Sequence, residues 1–143
     1  MHLIELALSI AIEAYTGKID KGGQPYILHP LRLMARMSND DARVVAILHD
    51  VIEDSTITAD DLLQRGIPEH LVITIQCLSR KIGESYEAFI ERIALNPLAR
   101  LVKMADIEDN LDVLRLVKLS PSDLERVKKY HAAWYYLREG RNE

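Results

Sequence analysis

The feature that most constrains the fold is an apolar stretch with two ionisable side chains inside it and two more directly after it. Apart from its one histidine and one aspartate, the stretch 44–52 is aliphatic, so a helix formed there is predicted to be buried. His49, Asp50, Glu53 and Asp54 lie inside this stretch or directly after it. Charged groups at the end of a buried helix cost free energy unless a partner compensates them. The stretch therefore predicts a divalent cation whose other ligands come from elsewhere in the chain.

Apolar residues recur at helical spacing along the whole chain, and no segment shows the strict alternation that is typical of strands. No internal repeat, low-complexity segment or linker divides the sequence. We therefore predict an all-α fold, a compact bundle of seven or eight helices forming a single domain over residues 1–143.

Capping signals place the predicted helix boundaries. The first helix ends near Tyr15, and a glycine-containing loop at 18–26 follows it. Pro30 is the expected first residue of the second helix, and Ser38 or Asn39 is the expected cap of a third helix that continues into the central stretch. Thr58 and Gly66 should bound a short helix, Pro68 should begin a helix to 78, and Ser85 should precede a helix at 86–95. Asn96-Pro97 should precede a long helix to about 117, and Ser120-Pro121 should precede a last helix that Gly140 ends.

Composition excludes several classes of protein. A net charge of −4 makes nucleic acid an unsuitable main partner, although a local basic pocket for phosphates remains compatible with it. The single cysteine, Cys77, cannot form an internal disulfide and lies in an apolar run, which favours a buried structural thiol. Neither a signal peptide nor an apolar run that could span a bilayer is recognisable, so we expect a cytoplasmic protein without a membrane partner. The oligomeric state is left open.

A second group of polar residues lies in another apolar segment. Lys103, Asp106 and Asn110 share one helical face at spacings of three and four residues. Because their neighbours are apolar, Asp106 is predicted to lie near the core, where the cation at His49 and Asp50 would compensate its charge. Glu108 and Asp109 fit a solvated acidic surface. His29, at a helix entry after the glycine-containing loop, is the remaining candidate ligand.

Three motifs in this order resemble the HD superfamily of metal-dependent phosphohydrolases. They are GQPYILHP at 23–30, LHDVIEDS at 48–55, and KMAD at 103–106 followed by Asn110. The set is most similar to the hydrolase domain of the RelA/SpoT group, which removes the 3′-pyrophosphate from the alarmone (p)ppGpp. The resemblance extends from the first helix to about residue 116, and it implies a stand-alone hydrolase acting on a small nucleotide.

The resemblance also implies roles for individual residues. One metal ion, manganese in that family, would be held by four ligands: His29, His49, Asp50 and Asp106. On donor chemistry alone, iron, zinc and magnesium also suit two imidazoles and two carboxylates. Glu53 and Asp54 match carboxylates that position or deprotonate the attacking water.

Five further residues are candidates for contact with the substrate. By the resemblance, Asn110 matches a substrate-contacting asparagine and Lys21 a phosphate-contacting residue. Lys103 is a second cation for phosphates, and either Tyr26 or Tyr86 is a candidate for stacking on a base.

The chain departs from the RelA/SpoT pattern at three positions. Asp20 stands where an arginine that helps hold guanine usually precedes the lysine, and Ile107 and Asp109 stand where arginine and histidine are frequent. These differences leave two alternatives open: an HD phosphohydrolase for another nucleotide or small phosphate ester, and a non-catalytic nucleotide-sensing helical domain. The chain is too short to add the synthetase domain of the long bifunctional enzymes, so the expected activity is hydrolytic only.

Overall fold

The structure is a computed structural model that describes residues 1–139. Within this range the chain forms nine α-helices and one 3₁₀ turn, and its only β-type pairing is an isolated bridge between Ile19 and Pro25. The predicted all-α class is therefore confirmed. The helices are α1 Leu3–Tyr15, α2 Leu28–Ala35, α3 Asp40–Leu48, α4 Val51–Asp54, α5 Ala59–Gln64, α6 Glu69–Cys77, α7 Tyr86–Ala94, α8 Pro97–Asn110 and α9 Pro121–Glu139, with the 3₁₀ turn Val113–Arg115 between the last two.

Most helix starts follow from local capping chemistry. The side chains of Asn39, Thr58, Ser85 and Asn96 each accept a hydrogen bond from a backbone N–H in the first turn of the following helix. The predicted capping box at Ser120 is also present, because its backbone N–H donates to the Asp123 carboxylate at 2.8 Å. These boundaries were predictable because each depends on residues close together in sequence.

Asn39 provides a test of the fold. We expect Asn39→Ala to lower the free energy of unfolding by about 1 kcal/mol, because the N–H of Ala42, 2.9 Å from the Asn39 Oδ1, loses its acceptor. Ser38→Ala is the matched control, and we expect it to change stability by less than about 0.5 kcal/mol. Urea denaturation of both variants measures this. A larger loss in Ser38→Ala would mean that the wrong residue is assigned as the cap.

The start of α2 and the end of α8 differ from the predicted boundaries. Helix α2 begins at Leu28, so Pro30 is its third residue; the first-turn N–H groups have no intrahelical acceptor, and proline is tolerated there. Helix α8 ends at Asn110 instead of continuing to 117, because the chain enters the 3₁₀ turn. The predicted stop at Gly140 lies outside the described residues.

The central stretch is interrupted between α3 and α4. We predicted a continuous helix, but α3 ends at Leu48 and α4 begins at Val51. Glu53 and His49 are four residues apart, but they do not share one face of a continuous helix because the helix is broken between them. The spacing from Asp50 to Asp54 is preserved, because the N–H of Asp54 donates to the carbonyl of Asp50 at 2.8 Å. The interruption places two ionisable residues at a bend in the backbone instead of along one helix face.

Helix α3 forms the centre of the molecule. It packs against α1, α2, α6 and α8, and its residues from Val44 to Leu48 are fully buried, as the apolar pattern predicted. Burying a side chain such as Ile47 contributes about 1.5–3 kcal/mol, so this packing fixes the position of the bend that follows. Across residues 1–139, none of the helices combines the length and the apolarity needed to cross a bilayer.

Candidate metal centre

Four side chains predicted as metal ligands converge at one point. His29 comes from the first turn of α2, His49 and Asp50 from the bend between α3 and α4, and Asp106 from α8. One ligand atom from each lies within 4.8 Å of the others. His29, His49 and Asp106 are almost completely buried, at 4%, 2% and 4% exposure. Three separate parts of the chain thus bring two imidazoles and two carboxylates into one small volume.

The imidazole of His49 is oriented by the backbone. Its Nδ1 lies 2.7 Å from the carbonyl oxygen of Ala46, which can only accept, so Nδ1 carries the proton and donates. Its Nε2 is fully buried, lies 3.0 Å from Asp50 and 3.4 Å from Asp106, and makes no well-aligned hydrogen bond within residues 1–139. A buried nitrogen in this position among carboxylates is typical of a metal ligand.

Asp106 has the densest set of partners. One of its oxygens lies 2.8 Å from His29 Nε2 and accepts from the amide of Asn110 at 3.1 Å, and the other accepts from Lys103 Nζ at 2.8 Å. Burial would raise the pKa of Asp106, but the Lys103 ammonium and the two imidazoles hold it well below its usual value. Asp106 is therefore an ionised, fully buried carboxylate.

The contact with Asp106 changes the interpretation of Lys103. We predicted a phosphate contact, but the largely buried Lys103 ammonium pairs with the aspartate and also lies 5.3 Å from the centre of the Phe89 ring. Burial alone would lower the pKa of Lys103, but the neighbouring Asp106 carboxylate raises it by more, so the net shift is upward. This pairing follows from the spacing of three residues, which lets the lysine reach the carboxylate on its own helix, and the phosphate contact stays a prediction.

Tyr26 has a contact that its prediction did not include. Its hydroxyl donates a hydrogen bond to the Asp50 carboxylate, and its ring lies 5.0 Å from that of Tyr15 and 5.7 Å from that of His29. The tyrosine therefore orients a candidate ligand, and its contact with a base stays a prediction. Tyr86, the other stacking candidate, packs between Phe89 and Tyr130.

The electrostatics of the cluster favour a cation. Burial alone would lower the pKa of His49, yet the neighbouring carboxylates of Asp50 and Asp106 raise it well above its usual value. The pKa of His29 is raised in the same way, against its burial, by Asp106 and Asp109. Positive charge is thus strongly stabilised between these groups. Together with the orphaned Nε2 of His49, this shows that the residues present fit a divalent metal ion with mixed nitrogen and oxygen ligands.

Glu53 and Asp54 lie on α4, directly after the bend that carries His49 and Asp50. They line an opening of about 510 Å³ together with Lys18, and the Glu53 carboxylate accepts from the backbone N–H of Arg80 at 3.0 Å. Partial burial, followed by the charges of Asp50 and Glu53, raises the pKa of Asp54 to about 6. Both predicted catalytic carboxylates therefore line one opening, and the pKa of Asp54 lies close to neutral pH.

A cavity of about 280 Å³ adjoins the cluster at His29. Of the predicted substrate contacts, Lys21, Tyr26 and Asn110 line it and Lys103 does not. Arg126 and Tyr130 of α9 also line it, and sequence reasoning did not identify them as site residues. Their four-residue spacing places both on one face of α9, but no local feature marks that face as part of a site.

Asp109 is the other residue that sequence reasoning missed. We predicted acidic surface, but Asp109 is buried, and only Glu108 of that pair is exposed. Burial would raise the pKa of Asp109, whereas hydrogen bonds from His29 and Arg32 hold it well below the usual value. No local signal distinguishes the two acids, because the partners of Asp109 lie far away in sequence, on α2.

The fold and the cluster define an all-helical domain of the HD type, with two histidines and two aspartates placed to bind a metal ion. No family model matches the chain. It is 42% identical to a guanosine-3′,5′-bis(diphosphate) 3′-pyrophosphohydrolase of Vibrio cholerae, over 73% of this chain and 17% of that protein. It is 28% identical to a probable GTP pyrophosphokinase of Mycobacterium leprae, over 82% of this chain and 16% of that protein. The chain thus spans about one sixth of the length of these curated relatives.

A solved structure has the same fold. It is described as that of a metazoan orthologue of SpoT that hydrolyses ppGpp, and it superimposes with a TM-score of 0.76 at 17% identity, over 96% of this chain and 85% of that chain. Together with the sequence matches, this confirms the resemblance stated from the motifs. The chain is a RelA/SpoT-like domain.

Proposed function

We propose that this chain is a metal-dependent phosphohydrolase that removes the 3′-pyrophosphate from guanosine 3′,5′-bis(diphosphate), with residues 1–143 acting as a single HD-type domain. The observation that carries the proposal is the convergence of the ligand atoms of His29, His49, Asp50 and Asp106 within 4.8 Å of one another. Relatives from Vibrio cholerae and Aquifex aeolicus that bear this activity in their names support the choice of substrate.

The four converging residues would hold the ion, with manganese as the ion that the family resemblance implies. When bound, such an ion offsets negative charge on phosphoryl oxygens and acidifies water. The chain contributes the orientation of each ligand. The Ala46 carbonyl fixes His49, the Tyr26 hydroxyl fixes Asp50, and the Lys103 ammonium fixes Asp106. These three ligands are therefore pre-positioned, which lowers the entropy cost of binding the metal.

Glu53 and Asp54 would orient the attacking water and accept its proton. A carboxylate whose pKa is close to the working pH is an effective general base, and burial raises that of Asp54 to about 6. The backbone N–H of Arg80 holds the Glu53 carboxylate at 3.0 Å. Between them the two acids can hold the proton of the attacking water and pass it to the ribose 3′-oxygen, which leaves as part of GDP when its bond to phosphorus breaks and the pyrophosphate takes up the water oxygen.

The cavity beside His29 would bind the nucleotide. Lys21 and Arg126 place positive charge on its wall for phosphate oxygens, and Asn110 offers an amide next to Asp106. Tyr130 provides an aromatic side chain on the α9 wall for contact with the base.

Arg126 tests this assignment. We expect Arg126→Ala to raise KM by about tenfold with a smaller effect on kcat, because a charge-assisted contact to phosphate contributes about 1.5–3 kcal/mol to binding. Lys128→Ala is the matched control, since Lys128 is exposed on the same helix and pairs with Glu125 at 3.7 Å. Steady-state kinetics of both variants measure the difference. Equal KM values in the two variants would remove Arg126 from the substrate site.

The activity itself is tested by incubating the manganese-loaded protein with ppGpp and measuring pyrophosphate. We expect pyrophosphate and GDP as products and no activity after chelation of the metal. If protein with demonstrably bound manganese leaves ppGpp intact, this substrate assignment is wrong.

A second candidate is hydrolysis of another nucleotide or small phosphate ester. The observation that favours it is the role of Asp20, whose carboxylate accepts from the N–H groups of Gly22 and Gln24, both at 2.9 Å. Position 20 therefore closes the loop and offers no cation to guanine. Phosphate release across a panel of nucleoside monophosphates, compared with ppGpp, distinguishes the two substrates.

A further inference from the structure

Asp109 is a buried carboxylate that the proposed mechanism does not use. Its Oδ2 lies 2.6 Å from Nδ1 of His29, and its side chain is only 9% exposed. Arg32 donates from Nε to one carboxylate oxygen at 2.8 Å and from Nη2 to the other at 2.9 Å. Arg115 adds a third positive group at 3.5 Å. The carboxylate is thus clamped between one imidazole and two guanidinium groups.

This arrangement determines which nitrogen of His29 carries a proton. A carboxylate that accepts from Arg32 at both oxygens is ionised and can only accept, so the ring nitrogen facing it has to donate. Nε2 also faces an ionised carboxylate, 2.8 Å from Asp106 Oδ1, so without a cation both ring nitrogens face acceptors. The two sides differ because the candidate metal ligands converge only at Nε2. A cation held there would take the Nε2 lone pair in place of a proton, while Nδ1 keeps its hydrogen against Asp109.

We propose that Asp109 is a positioning residue that holds His29 with Nδ1–H directed to the carboxylate and the Nε2 lone pair directed to the metal site. The proposal rests on the proposed metal centre and adds a residue to it. Carboxylates that orient metal-binding histidines in this way stabilise the metal-binding tautomer and make the ring more basic.

Asparagine at position 109 is an informative replacement, because it keeps the shape of aspartate but replaces one of the two acceptor oxygens by an NH₂ donor. Arg32 donates to both oxygens, so one amide oxygen cannot serve Arg32 and His29 equally. If the oxygen faces Arg32, the amide NH₂ faces Nδ1 and favours the tautomer with hydrogen on Nε2. That tautomer has no lone pair for a metal at Nε2.

The first measurement needs no mutation. In zinc-loaded wild-type protein, ¹⁵N NMR of the histidine side chains is expected to show His29 with hydrogen on Nδ1 and zinc at Nε2. The opposite assignment, with zinc at Nδ1 and hydrogen on Nε2, would overturn the proposal even if no variant folds.

The second measurement is calorimetric titration of metal-free protein with Mn²⁺. We expect Asp109→Asn to weaken binding by about 10–100-fold, while Asp109→Glu recovers part of the loss. Glu108→Gln, an exposed neighbour on the same helix, is the matched control and should bind as wild type. Circular dichroism on heating establishes that each variant is folded. Wild-type affinity in folded Asp109→Asn would refute the role of Asp109.

Different results would refute the metal centre and the role of Asp109. Absence of manganese or zinc binding by the wild-type protein refutes the metal centre and this inference with it. Normal binding by the wild type and by folded Asp109→Asn refutes the inference alone and leaves the proposed hydrolase intact.

Discussion

Replacing Asp106 by alanine is expected to destabilise the metal-free protein by about 3–5 kcal/mol, the cost of leaving a buried charge without its partner. The charge is that of Lys103, whose ammonium lies 2.8 Å from the Asp106 carboxylate in a largely buried position. The His29 imidazole and the Asn110 amide lose a hydrogen-bond partner in the same variant. Chemical denaturation in the presence of a chelator measures the change in the free energy of unfolding.

A double variant separates stability from activity. We expect Asp106→Ala combined with Lys103→Met to regain much of the lost stability, because methionine fills the space of the lysine without its charge. The double variant should remain without metal-dependent activity, because a ligand is still missing. If the free energy of unfolding of Asp106→Ala equals that of the wild type, the buried ion pair contributes little to stability and its assigned role at this site is wrong.

Glu53→Gln is expected to lower kcat by about 10²–10⁴-fold while the protein still binds manganese, since glutamine keeps the shape but cannot accept a proton. The loss of stability should be small, because Glu53 is exposed and the amide oxygen can still accept from the Arg80 N–H. The variant therefore separates chemistry from folding and from metal binding. Pyrophosphate release and calorimetric metal titration are the two measurements.

Glu69→Gln is the matched control for Glu53→Gln. Glu69 is exposed in the first turn of α6, and it is not one of the residues that line the two openings beside the cluster. We expect the control to retain wild-type kinetics. Wild-type turnover in Glu53→Gln would instead remove Glu53 from the catalytic assignment, whereas a metal-loaded wild-type protein that binds nucleotides without turnover would favour the alternative of a nucleotide-sensing domain.

The sequence predicted the parts of the fold that depend on neighbouring residues. The apolar run 44–48 and the cap at Asn39 were sufficient to predict a buried α3, and the order of the motifs was sufficient to bring His29 and Asp106 to the same site. Each of these predictions rests on local chemistry or on a motif, and neither requires knowledge of how helices pack.

The predictions that failed concern contacts between distant segments. Asp109 and Glu108 look equivalent in sequence, and only the packing of α2 against α8 buries the first and exposes the second. Nothing local showed that the hydroxyl of Tyr26 meets Asp50, which is 24 residues away. The bend at His49 and Asp50 was missed because the residues on both sides favour helix.

The central claim is that His29, His49, Asp50 and Asp106 together hold one metal ion. The most direct test is anomalous X-ray diffraction from crystals of the manganese-loaded protein. The account predicts one manganese per chain, coordinated by one nitrogen from each histidine and an oxygen from each aspartate, and no such ion in His49→Ala. Manganese bound elsewhere, or no manganese in a protein whose four side chains adopt the arrangement described above, would contradict it.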